Sequence, residues 1–95
     1  MSKLEKFNYF KGLADDEIIK QLNYNIERMV KADKVFVSNK YTTEELETLL
    51  PAYYDVIENI SLLELVTWGK SRRLQVKTRE IINSIEWVEL NIMDI

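Results

Sequence analysis

Apolar residues recur at intervals of three and four along most of this chain, and the places where the interval fails divide it into segments. In the first segment Leu4, Phe7 and Phe10 lie on one side. Ser2 followed by Glu5 has the spacing of a capping box and Gly12 follows as a stop, so the pattern predicts a short helix over 3–11. The second segment carries Ile18, Ile19, Leu22, Ile26, Met29 and Val30 at helical spacing, opened by Asp15 or Asp16 as cap. Asp16 and Glu17 at its start and Arg28 and Lys31 at its end suit the helix dipole.

The period fails between Lys34 and Tyr41. Val35-Phe36-Val37 is β-branched and aromatic and is bounded by Asp33 and Asn39, which reads as a short strand. Thr42 with Glu45 three residues later opens another helix, through Leu46, Leu49 and Leu50. Pro51 removes a donor and crowds the preceding turn, so a break or kink is expected there. Tyr53, Val56, Ile57, Ile60, Leu63 and Val66 then resume the helical interval as far as Gly69, with Ser61 and Glu64 offering a second start within the run.

Beyond residue 80 two periods compete. Ile81, Ile85, Val88 and Ile92 fit one helical face, whereas Val88, Leu90 and Ile92 alternate with Glu89 and Asn91 as a strand would. A strand at 87–93 would pair with 34–38 and give an α+β fold. The helical interval persists longer, which favours helix, with the apolar tail to Ile95 docked on the body. The expected fold is therefore all-α: one domain over 1–95, a compact bundle of four or five helices, with a minor β element near 34–38 as the alternative.

Composition narrows the chemistry. The 95 residues are 46% apolar with two Trp, enough for a core without covalent staples. There is no Cys and no His, which removes disulfides, zinc-thiolate sites, thiol nucleophiles and the commonest general base. Two Gly cannot build a phosphate-cradling loop. The chain reads as a non-enzyme with no cofactor or metal; Asp55, Glu58 and Glu64 are spaced so that at most two share a face. No apolar run spans a bilayer and the first residues lack a signal-peptide core, so the expected location is cytoplasmic. Phe, Tyr, Met, Ile, Asn and Lys total 37 against 10 for Gly, Ala, Arg and Pro, a skew that suggests an AT-rich genome such as a low-GC bacterium or its phage.

Charge adds the most. Tyr41 to Gly69 contains six carboxylates and no Lys or Arg, whereas Lys70 to Arg79 contains five cations and no acid, in a chain of net charge −3. Charge sorted into blocks bears on partners more than on fold. Lys70, Arg72, Arg73, Lys77 and Arg79, with the Ser71 and Thr78 hydroxyls, would suit a nucleic-acid backbone. Gly69 has the place of a helix-turn-helix turn, but Lys70 stands where an apolar residue belongs. The acidic remainder favours instead a decade that neutralises 41–69 of its own chain or a second copy, or meets an acidic protein. Glu44, Glu45 and Glu47 suit a helix start on dipole grounds, and six acids in the 29 residues of 41–69 are too few for a dedicated nucleic-acid mimic.

Ten aromatics complete the inventory. Phe7, Phe10 and Phe36 read as core. Tyr53 and Tyr54 are consecutive, so a helix points them about 100° apart and one must approach the surface. Trp68 adjoins the Gly69 stop, and Trp87 lies off the Ile81–Ile85–Val88 face. Because Tyr, Trp and Arg dominate binding hot spots, Tyr54, Trp68, Arg72, Arg73 and Trp87 form the candidate partner-binding set. The function expected is a small cytoplasmic protein-binding module, an inhibitor or regulator of another protein. A nucleic-acid-binding regulator using 70–79 is the alternative, and a structural subunit or homodimer is the third class.

Overall fold

A computed structural model describes residues 2–84. Those residues form four α-helices packed on one another: α1 (Lys3–Lys11), α2 (Asp15–Ser38), α3 (Thr43–Trp68) and α4 (Arg72–Asn83). No strand occurs among the described residues. The all-α bundle is the architecture, and the β element near 34–38 is not formed. Residues 85–92 of the 81–92 segment, the proposed strand at 87–93 and the apolar tail lie outside the described residues.

Helix starts follow from local chemistry. Ser2 Oγ accepts from the Glu5 amide at 3.2 Å while Glu5 reaches back to the Ser2 amide, a complete capping box. Thr42 caps α3 by accepting from the Glu45 amide at 3.1 Å, and Ser71 caps α4 by accepting from the Leu74 amide at 3.1 Å. For α2 the cap position belongs to Ala14, which makes no side-chain bond, and Asp15, Asp16 and Glu17 fill the first turn instead. Their charges there satisfy the dipole without a cap bond. The two glycines that end α1 and α3 both carry negative φ; the left-handed turn is Asn39, at φ 55° and ψ 25°, which ends α2. Asn is one of the few side chains tolerated in that region.

α2 runs through the expected strand because its core-facing stripe includes two polar residues. Ile18, Leu22, Asn25, Met29, Asp33 and Phe36 are all buried on one face. Counting only apolar residues loses the stripe at Asp33; including the carboxylate restores the interval to Phe36 and fixes Val37 as exposed. α3 likewise continues through Pro51. The proline is on the exposed side, where water can donate to the carbonyl one turn back in place of the missing amide. No second start occurs at Ser61.

α2 and α3 make an antiparallel hairpin. The Phe36 ring meets Tyr53 edge-on at 5.5 Å and Tyr41 at 6.0 Å near the connecting loop. Midway, Asn59 Nδ2 donates to Asn25 Oδ1 at 3.0 Å and Asn25 Nδ2 donates to the Gln21 carbonyl at 2.7 Å. α3 also receives α1 and α4, so it contacts all three other helices. Its inward stripe of Tyr53, Val56, Ile60, Leu63, Val66 and Thr67 is the middle of the core.

Two outcomes follow for unfolding by urea. Pro51→Ala restores an amide donor at an exposed helical position and should raise stability by about 1–3 kcal/mol; an unchanged or lower midpoint would contradict an unbroken α3. Asn59→Ala leaves the buried Asn25 oxygen without its donor and should cost about 1–3 kcal/mol.

Candidate interaction face

The basic decade becomes a helix with its charges outward. In α4 the side chains of Leu74 and Thr78 are buried and Ile81 and Ile82 half-buried, which turns Arg72, Arg73, Val76, Lys77 and Arg79 to solvent. None of the decade's cations comes within 4.0 Å of a carboxylate among the described residues. The ion pairs there belong to Lys3, Lys6 and Lys20.

Two sides of α4 differ. Arg72 and Arg79, with Lys70, Gln75, Val76 and Trp68, line a shallow groove of about 380 Å³ between the end of α3 and α4. Arg73 and Lys77 line a second cleft, shared with Asp15, Asp16 and Ile19 of α2. These two acids share the cleft with the cations without forming an ion pair with them. Lys70 is committed elsewhere: its ammonium donates to the Leu13 carbonyl at 2.8 Å and joins the α3–α4 turn to the α1–α2 loop.

Both hydroxyls read as phosphate donors have structural duties or no access. Ser71 Oγ is the α4 cap. Thr78 is fully buried, with no hydrogen-bond partner for its hydroxyl among the described residues.

The partner-binding candidates separate accordingly. Trp68 (56% exposed) and Arg72 come together in the groove, and Arg73 faces the second cleft. Tyr54 is 63% exposed while its neighbour Tyr53 is buried, the divergence the helix requires. Fourteen residues separate Tyr54 from Trp68 along α3, about 21 Å of helix, so they share a face but not a pocket. Trp87 lies outside the described residues. Val76, 48% exposed beside Trp68, was not singled out by sequence. Its signal was an apolar residue at i+4 from Arg72 and i−3 from Arg79, out of phase with the inward Leu74.

The acids of 41–69 find a different partner from the one expected. Lys6 of α1 donates to Asp55 Oδ1 and, at 3.2 Å, to Glu58 Oε1, and Lys3 stands 4.0 Å from Glu58. Among the described residues the decade makes no ion pair with α3, and α1 answers Asp55 and Glu58. The Lys6 side chain is 15% exposed and Asp55 45%. The hydrogen bond from Lys6, opposed by partial burial, holds the Asp55 carboxyl below its ordinary range. The same bond to Asp55, again opposed by burial, raises the Lys6 ammonium, with Glu58 adding to it. Glu44, Glu45 and Glu47 remain exposed at the start of α3. Among the described residues no group of three or more acidic side chains is placed to hold a metal ion, and no helix is long and apolar enough to cross a membrane.

The pH dependence of this contact has a definite sign. Because the folded Asp55 pKa is depressed, its contribution is present above the unfolded value near 3.8 and disappears as pH falls through the folded value. Because the folded Lys6 pKa is raised, its contribution is present below the ordinary 10.5 and disappears as pH rises through the folded value. Lys6→Met should lower stability at neutral pH by about 0.5–1 kcal/mol, the scale of a partly exposed pair. It should also flatten the loss on acidification below about pH 4, measured by denaturant titration at several pH values. No family model, curated protein or solved structure matches this chain, so its function is argued from these residues.

Proposed function

We propose that the protein is a non-catalytic protein-binding module, a regulator or inhibitor, that docks through the outer face formed by the end of α3 and by α4. The observation carrying this reading is the groove that exposed Trp68 and Val76 line together with Arg72 and Arg79, the two guanidinium groups having no ion-pair partner among the described residues. An aromatic and an aliphatic side chain rimmed by guanidinium groups is the composition of a binding hot spot. Its charge selects an acidic protein surface. The opposing carboxylate pair, Asp55 and Glu58, is already engaged by lysine, which leaves little for acid–base chemistry. A cytoplasmic setting and a phage or mobile-element source accord with the composition and belong to this same reading.

The nucleic-acid alternative draws on the same helix but has lost material. Lys70 is bonded to Leu13, Thr78 is buried and Ser71 caps α4. Four outward cations remain, few for a backbone contact that must compete with salt.

The test is affinity capture from the source cell with wild-type protein and with R72E/R73E, read by mass spectrometry. The expected result is a protein retained by the wild type, released by raised salt and lost with the double variant. Equal recovery by both forms would remove the assignment to α4. Retention on heparin or DNA that falls steeply with salt, with no protein recovered, would replace it with the nucleic-acid reading.

A further inference from the structure

α4 spans only part of the hairpin it packs on. It follows α3 after a short turn and runs back along it, with its first turns beside the start of α2. Its 12 residues measure about 18 Å, against about 39 Å for the 26 of α3. Counted from Trp68 and from Asp16, α4 ends level with Ile57 of α3 and Ile26 of α2.

Past that level the side facing α4 stays apolar. Ile19 of α2 shares a cleft with Leu74 and Lys77, and Ile26, Val30 and Val37 follow it at helical spacing. On α3, Ile57, Leu50 and Leu46 recur at steps of seven and four. Val37 is 52% exposed and the other five are half-buried. None of them lines the groove of Arg28, Lys31, Val35 and Ala52, so this strip is a different edge of the hairpin.

The chain itself supplies a segment matched to the strip. α4 faces inward through Leu74, Thr78 and Ile81, at steps of four and three. The sequence beyond carries the same alternation through Ile85, Val88, Ile92 and Ile95. Its length matches as well: the residues 85–95 would span about 16 Å as a helix, and α2 beyond Ile26 spans about 18 Å. Neither Gly nor Pro interrupts it, and Ser84 ends α4 at φ −78° and ψ −8°, with no left-handed turn to divert the chain. Glu86, Glu89 and Asp94 fall off the apolar stripe. Exposed Lys34, three residues before Val37, has no ion pair among the described residues and offers them a counter-charge. A segment tethered at Ser84 also meets the strip at an effective concentration of about millimolar order.

We propose that residues 85–95 are the occupant of this strip, carrying the inward face of α4 along α2 and α3 and closing the core at the Phe36–Tyr53 end of the hairpin. The inference stands apart from the docking face at Trp68 and Arg72, which lies at the opposite end of α4.

The chain has no cysteine, so single thiols report the contact in the full-length protein. V88C and I92C should react with a maleimide about tenfold or more slowly than E86C, and urea should abolish the difference. Circular dichroism checks that each variant folds. Asn91 continues the line of Lys77 that faces α2, which locates the seat. A short bis-maleimide should join V37C to N91C within one molecule, and should leave V35C, two residues away on the other edge of α2, unjoined to N91C. V88C and I92C as reactive as E86C would overturn the docking. Links through V35C as readily as through V37C, or through neither, would overturn this seat. Protection and linking found only between molecules at high concentration would give the strip to a second copy's segment and overturn the intramolecular contact.

Discussion

The structure depends on the inward stripe of α3. One helix of 26 residues supplies Tyr53, Val56, Ile60, Leu63, Val66 and Thr67 to a core that α1, α2 and α4 reach from different sides. At about 25 cal/mol per Å² of buried apolar surface, such a stripe is where the favourable free energy of a small domain is concentrated. It also explains why Pro51 is tolerated. The ring sits on the side of α3 that buries nothing, where water can meet the orphaned carbonyl, and the stripe one turn later holds the segment helical against the local preference.

Much of this was legible in the sequence. The 3–11 helix, its capping box, the Thr42 start and the end of α3 at Gly69 all follow from short-range rules, because caps involve residues three apart and depend little on distant packing. What failed were inferences that treated a polar residue or a proline as punctuation. Asp33 lies in the core stripe of α2, so its charge disguised a helix as a helix followed by a strand. Pro51 suggested a break that α3 does not show. In both cases tertiary burial outweighed the local signal, and a single chain read in one dimension cannot display burial.

The charge pattern was legible as sorting but not as pairing. Sequence placed five cations after six acids and suggested that one answered the other. In space the acids at 55 and 58 face Lys6 of α1, some fifty positions away in the chain, because α1 packs along α3 while α4 turns its charges from the core. Which block answers which is set by helix rotation, and the rotation of α4 is dictated by Leu74 and Thr78, not by its cations. Periodicity marks Leu74 and Ile81 as inward only if 70–79 is taken as helix, and five charges in ten residues conceal that.

The amide pair between Asn25 and Asn59 has a mechanical consequence. Many helical bundles respond to their surroundings by ratcheting one helix past its neighbour by a turn. Here such a slide of α2 along α3 would part the two amides and leave the buried Asn25 oxygen without its donor. The hairpin thus has one permitted setting and behaves as a stator.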